Sequence, residues 1–359
     1  MPTAPRRYAI ITDGFLTDRR AKTAHGVMQY GRDKVVAVID SGYAGKTMRE
    51  VMPRLGCDAP VIASMREALA LRPTSLLLGV ANQGGFIPPS FREHILVAID
   101  AGLEIVSGLH ELLRDDAEFV ERAKASGARL WDVRVPPPDI PLYSGAAARV
   151  PQVVVLAVGT DCAIGKKTVM IELDRAAREA GERSEFVATG QTGILIAGKG
   201  IAVDRVISDF ITGAAEQLLL GVSAEADYAL VEGQGSIAHP AYAPVTHGLL
   251  FGCSPDVLVM CAQAGRRDIE EYGVPLPPLP EFIALHEALL RLVKPARVAA
   301  VALNTMDLDD AAARAAITAV EAQTGLPVDD VVRFGGAKLW RAVRAAAAET
   351  AKAKENVRA

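Results

Sequence analysis

The sequence predicts an α/β protein built from two parallel-sheet domains, and three observations carry that prediction. Short apolar, β-rich runs alternate with helical stretches along most of the chain, the rhythm of doubly wound sheets. One run, Val153 to Val158, is apolar without a break, as a strand buried on both faces must be. Between the two series of runs lies a stretch containing Pro136, Pro137, Pro138, Pro141 and Pro151, which can continue neither a helix nor a central strand. The expected organisation is a Rossmann-like α/β domain over residues 1–135, a proline-rich connection over 136–151 and an α/β domain carrying a phosphate loop over 152–359. Two domains suit a chain of 359 residues, each half being long enough to bury its own core.

In the first domain the expected strands are Tyr8 to Thr12, Val35 to Ile39, Val61 to Ala63, Ser75 to Gly79, Glu104 to Val106 and Arg129 to Val133, with helical patterns such as Phe91 to Ala101 between them. No G-x-G-x-x-G follows the first strand, so the layout is present without the dinucleotide fingerprint. The loop Gly79 to Gly85 leaves a strand at its carboxyl end, where open α/β sheets bind ligands, although such loops also serve as plain crossovers.

In the second domain the run Val153 to Val158 leads into Gly159, Thr160, Asp161, Cys162, Ala163, Ile164, Gly165, Lys166, Lys167 and Thr168. Behind it Val169, Met170, Leu173, Ala176, Ala177 and Ala180 form the stripe of a one-sided helix, with Gly181 placed to stop it. Strand, glycine loop and helix in that order cradle an anion: loop N–H groups and the positive helix end face it, and a lysine adds a full charge. Five residues separate Gly159 from Gly165, where the common G-x-x-x-x-G-K-[ST] pattern has four, and Lys167 stands where that pattern has a hydroxyl. In nucleoside triphosphatases that hydroxyl holds magnesium. Thr168, one position on, can substitute for that hydroxyl; a cradle with more positive charge and a displaced metal ligand also suits a phosphate-bearing carrier that is held and never cleaved.

Further strands are expected near Glu185 to Ala188, at Tyr228 to Val231, Val257 to Cys261, Arg297 to Leu303 and Val328 to Val332, and helices at Asp204 to Leu220, Glu281 to Leu292 and Asp310 to Gln323. The strand Tyr228 to Val231 delivers Glu232 to its carboxyl end and then turns on Gly233 and Gly235, placing an acid where phosphate-loop folds hold a metal or accept a proton. Pro275 to Pro280 reads as a stiff surface excursion, and the alanine-rich tail Ala337 to Ala359 as a surface helix fraying into a basic end.

Composition narrows the class. Half the residues are hydrophobic, yet no run reaches the ~18 apolar residues of a membrane span, and the apolar run at the N-terminus is too short for a secretory signal. A cytoplasmic protein is expected. The four cysteines, Cys57, Cys162, Cys253 and Cys261, form no C-x-x-C pair and have no histidines at metal spacing, so neither a disulfide framework nor a metal site is indicated. A net charge of -4 with interspersed signs gives no footprint for nucleic acid. The expected partner is a small molecule, with homo-oligomeric assembly.

GTDCAIGKKT followed by LVEGQGS resembles the pairing of cradle and acid in dethiobiotin synthetase and its relatives. A closer resemblance spans nearly the whole chain. AVIDSGYAGK, GVANQGGFIP, GLHELL, GTDCAIGKKT, ATGQTGILIAGKGIAVDRVISDF, LVEGQGSIAHPAY and HGLLFGCSPD are similar to blocks of a bacterial and archaeal family with a Rossmann-like N-terminal domain and a P-loop NTPase-like C-terminal domain, long catalogued as a domain of unknown function. Members are described as D-glutamate N-acetyltransferases. The resemblance implies transfer of the acetyl group of acetyl-CoA to the amine of an amino acid, with the loop Gly159 to Thr168 holding the phosphates of the carrier.

Such a reaction needs a base and a donor facing the thioester oxygen. Glu232 is the first candidate for base and His239 the second; Gln191 or loop N–H groups are candidates for the donor. Arg266 and Arg267 suit the carboxylates of a glutamate-like substrate, and Asp209 its amine, although its spacing from Arg205 also fits a helical ion pair. Cys162 invites a covalent acetyl-enzyme, but a small residue in a tight loop with no histidine neighbouring it in sequence reads as structural. Two other classes fit the cradle and Glu232: a kinase or ligase using ATP with Mg²⁺, which Asn304 after the strand Arg297 to Leu303 also permits, and a non-catalytic nucleotide or CoA sensor.

Overall fold

In the computed structural model, which describes residues 5–358 and the side chains of residues 5–350, the chain forms two compact units. One comprises Met1–Val135 with Gln191–Ala202, the other Pro136–Gly190 with Val203–Ala359.

The first unit carries six strands, β1 (Arg7–Ile11), β2 (Lys34–Ile39), β3 (Val61–Ile62), β4 (Ser75–Leu78), β5 (Glu104–Ser107) and β6 (Leu130–Asp132). They pair in parallel in the order β3-β2-β1-β4-β5-β6, the Rossmann order, with the reversal between β1 and β4. Ala9, Ile11, Ala37, Ile39, Leu76, Leu78 and Ile105 from the strands meet Phe91, Ile95 and Phe119 from the covering helices in one core. At Gly79, which ends β4, a Cβ would lie 2.7 Å from both Ala24 Cβ and Ile10 Cγ2, so the helix Lys22–Tyr30 rests on the sheet only because that position has no side chain. The glycine loop beyond is organised by a short 3-10 turn, Gln83–Gly85. The helix Gln191–Ala197 packs with Lys22–Tyr30, the hydroxyls of Thr23 and Thr192 lying 3.1 Å apart. Sequence patterning shows no element there because six of its seven residues are buried, which removes the amphipathic period.

The second unit carries β7 (Val153–Gly159), β8 (Ser184–Val187), β9 (Tyr228–Val231), β10 (Val257–Gln263), a small antiparallel pair β11 (Asp268–Ile269) and β12 (Val274–Pro275), then β13 (Arg297–Asn304) and β14 (Val328–Asp329). The main sheet is parallel in the order β14-β13-β10-β7-β9-β8. Thus β7 lies between β9, which carries the acid, and β10. Ser144 and Ala147 of the proline-rich stretch donate their N–H groups to the buried carboxylate of Glu216, at 2.7 and 3.0 Å.

Three expectations change here, and one helix stands where none was expected. The strand Val328 to Val332 stops at Asp329, because the Asp330 carboxylate accepts the N–H groups of Val332 and Arg333 and starts the helix Val331–Phe334. The helix expected from Asp204 begins only at Ile211, after two single 3-10 turns. The helix Ala243–Cys253 is apolar almost all round and lies so close to Ile211–Leu220 that a Cβ on Gly248 would stand 2.1 Å from Ile211 Cγ2. The alanine-rich tail belongs to a helix, Ala337–Arg358, that buries Leu339, Trp340, Val343 and Ala347. Trp340 meets Tyr228 edge to face at 4.8 Å, so its described face is core rather than surface; the basic end lies outside the described side chains.

Candidate active site

β7 ends at Gly159, the loop follows, and Lys166 opens the helix Lys166–Glu179. Gly165 caps that helix with φ +108°, and Ala163 takes φ +54°, a left-handed conformation uncommon outside glycine. The stem of Lys166 runs between two glycines: a Cβ on Gly159 would lie 3.2 Å from Lys166 Cδ, and one on Gly233 would lie 3.1 Å from it and 1.9 Å from the Ala157 carbonyl oxygen. Gly233→Ala is therefore expected to force β9 away from β7 and cost about 1–3 kcal/mol, read as a lowered denaturation midpoint.

Asp161 acts through its side chain as well as its backbone. Its carbonyl accepts the Lys166 ammonium at 2.5 Å. Its carboxylate, 1% exposed, accepts the N–H of Cys162 at 2.6 Å, the N–H of Glu270 at 3.0 Å and the Arg266 guanidinium at 2.6 Å. Arg266 also donates to Glu270 at 3.1 Å. The small antiparallel pair β11/β12 is thereby pinned to the cradle. Asn304 braces the other side, donating to the Ile164 carbonyl at 3.4 Å and accepting the N–H of Met306 at 3.0 Å.

Glu232 is buried at the end of β9. Its carboxylate accepts the N–H groups of Thr189 and Gly190 at 2.9 and 3.0 Å, while the Thr189 hydroxyl donates to its carbonyl at 2.8 Å. Burial pushes the carboxyl up to about 7, against the opposing pull of the Lys167 charge and the two N–H groups. Ionised and neutral forms are therefore both accessible near neutrality, which is what a proton-accepting group requires.

The Ser236 hydroxyl donates to the Thr160 carbonyl at 3.0 Å, which docks the segment after β9 on the cradle and brings in His239, 3% exposed. Its Nδ1 accepts the N–H groups of Ala241 and Tyr242, both at 3.2 Å, and its Nε2 lies 4.0 Å from Asp161 Oδ1. Burial holds its pKa below the ordinary histidine value, Asp161 opposing. The rings of Tyr242 and Tyr272 pack on it at 4.6 and 4.9 Å, and each tyrosine is nearly half exposed.

The fold thus supplies the histidine that the sequence around Cys162 lacks: ligand atoms of Asp161, Cys162 and His239 all lie within 4.8 Å of one another. This trio does not suit a metal. A metal-bound imidazole donates its second ring N–H to an acceptor, whereas Nδ1 here faces two N–H donors, the Asp161 carboxylate is already paired with the Arg266 guanidinium, and the Lys166 ammonium sits on the carbonyl of the same residue.

Of the residues singled out from sequence, the second unit brings together the loop Gly159 to Thr168, Glu232, His239 and Arg266. Lys167 and Thr168 are partly exposed on the first turn of the helix. Arg267 is exposed, its carbonyl accepting the N–H of Leu276. Asp209 is exposed in the 3-10 turn Ser208–Phe210, accepting the Ser208 hydroxyl at 3.4 Å, and is not on a helix with Arg205. Gln191 belongs to the first unit, buried, its Cγ 2.8 Å from where a Cβ on Gly108 would stand. Sequence reasoning missed Thr189, Tyr242 and Tyr272. Only the glycine turn of Thr189 and Gly190 carried a signal; the tyrosines sit in irregular segments, Tyr272 following Glu271 with its φ of +69°.

One chain that carries both a parallel Rossmann-type unit and a phosphate-loop unit, the latter with an acid on the strand next to the loop's own, defines the class of protein. The chain belongs to the family described as a domain of unknown function, DUF1611, whose P-loop domain matches residues 141–340 and whose Rossmann-like domain matches residues 41–136. It is 34% identical over 330 residues to a D-glutamate N-acetyltransferase of Tritonibacter scottomollicae, covering 90% of this chain and 94% of the relative. It is 35% identical over 274 residues to a D-glutamate N-acetyltransferase of a Pseudoalteromonas species, covering 76% and 82%. The crystal structure of a DUF1611 family protein from Anabaena variabilis superposes with a TM-score of 0.89 at 39% identity, covering 94% of this chain and 99% of that one. Among the described residues no helix is long and apolar enough to cross a membrane.

Proposed function

We propose that the protein is an amino-acid N-acetyltransferase that carries the acetyl group of acetyl-CoA to the amine of D-glutamate. The observation that carries the reading is Glu232, a buried carboxyl pushed up to about 7 within the field of Lys167. The loop Gly159 to Thr168 holds the phosphates of the carrier with its N–H groups and with Lys166 and Lys167. The amine reaches the site as an ammonium ion and yields a proton to Glu232. Its lone pair attacks the thioester carbonyl, forming the C–N bond; the C–S bond breaks, and the thiolate of CoA leaves and takes up a proton. The ammonium nitrogen has then lost two protons, one recovered by the thiol and one released to solvent. No phosphoryl group moves, in keeping with Lys167 standing where a triphosphatase has its magnesium ligand.

Calorimetry separates the classes. Acetyl-CoA without metal is expected to bind, and addition of D-glutamate to release free thiol. Tight binding of ATP with Mg²⁺ and no thiol release would replace this reading with a kinase or ligase; acetyl-CoA binding without turnover of any amino acid would leave a sensor.

A further inference from the structure

We infer that His239 is a neutral hydrogen-bond donor to the carrier through Nε2–H, and not a proton-accepting base. The inference rests on the acetyl-transfer reading above. Its ground is the ring's own bonding. Nδ1 is approached by two backbone N–H groups, from Ala241 and Tyr242, so that nitrogen must present its lone pair, and the proton of the neutral ring sits on Nε2. Deprotonated Nε2 would require a proton on Nδ1, which would then face two N–H donors and lose both bonds.

The segment that places the ring enforces this tautomer. Ser236 ties its start to the Thr160 carbonyl, and the Ala243 N–H donates to the His239 carbonyl at 3.0 Å where the helix Ala243–Cys253 begins. The rings of Tyr242 and Tyr272 pack against the imidazole, one tilted and one edge to face. The charged and titratable groups facing it are Asp161, Lys166, Glu271, the Cys162 thiol and the two tyrosines. Asp161 Oδ1 is at 4.0 Å from Nε2, beyond hydrogen-bond range, and its carboxylate is committed to Arg266 and two backbone N–H groups. The Nε2–H is thus a buried donor aimed at the cradle without a bond of normal length among the described residues. An oxygen of the carrier that bears or gains negative charge, a phosphate oxygen or the thioester carbonyl, completes it.

The test compares His239→Gln, whose amide presents an N–H at the place of Nε2, with His239→Ala. A donor predicts that His239→Gln keeps kcat/KM for acetyl-CoA within about tenfold of the parent while His239→Ala loses about a hundredfold. The pH limb near 7 should persist in His239→Gln. If the two variants are equally impaired, or if the limb vanishes with the imidazole, the inference is overturned. Calorimetry with acetyl-CoA locates the oxygen: a weakened Kd marks a phosphate, an unchanged Kd with a lowered kcat marks the thioester carbonyl. Two-bond ¹H–¹⁵N correlation spectra of histidine-labelled protein read the tautomer without turnover, and an Nδ1–H signal for His239 would also overturn the inference. Failure of the parent to bind acetyl-CoA would instead sink the acetyl-transfer reading.

Discussion

Lys166→Ala is expected to raise the dissociation constant for acetyl-CoA by about 30- to 100-fold, with thermal stability changed far less. The ammonium is nearly buried and donates to the Asp161 carbonyl within the loop, so it is positioned before a ligand arrives. Charge-assisted hydrogen bonds of this kind contribute about 2–3 kcal/mol. Its stem is confined between the positions of Gly159 and Gly233, so little rotamer entropy remains to be lost on binding. Titration calorimetry reads the constant directly, and a value within threefold of the parent would remove the loop from carrier binding. Acetyl-pantetheine, which lacks the nucleotide phosphates, serves as the control and should be handled alike by parent and variant.

Glu232→Gln is expected to lower kcat by about a hundred- to ten-thousand-fold, the range of a general base, and to abolish the rise of rate with pH through about 7. A second readout follows from linkage. A carboxyl raised on folding is most stabilising while protonated, so its contribution is fully present below the ordinary glutamate value and is lost as pH rises through about 7. The difference in unfolding free energy between parent and variant should shift by about 3 kcal/mol between pH 4 and pH 8, the variant gaining at the alkaline end. Chemical denaturation at the two pH values checks this. A parent and variant with parallel pH profiles in both rate and stability would show that the carboxyl does not titrate in this range.

Strand positions in both sheets were legible because buried parallel strands leave short apolar runs bounded by glycine and polar turns; Val257–Gln263 and Arg297–Asn304 differ from expectation only at their ends. The segments without a signal lack any period: Gln191–Ala197 is buried nearly all round, Ala243–Cys253 is apolar nearly all round, and the first of them is owed to a unit far away in sequence. At the site, Glu232 and the loop were legible from spacing. Arg266 and His239 were legible as residue types near strand ends, but their partners were not, since what they do is set by contacts reaching from position 161 to positions 239, 266 and 270. In the sequence Asp161 is one more loop residue; in three dimensions its carboxylate fastens the cradle to the segment from Arg266 to Glu270.

The interleaving of the two units has a practical corollary for anyone who would divide the protein. Gly190, whose N–H grips Glu232, is followed at once by the stretch assigned to the first unit, and the chain returns only at Val203. Scission within the proline-rich stretch would therefore leave the C-terminal fragment with a stranded apolar helix whose packing surface has gone with the other piece, starting at the residue after the one that donates to Glu232. Such a fragment should be prone to aggregation and poorly suited to report on the chemistry of the intact chain.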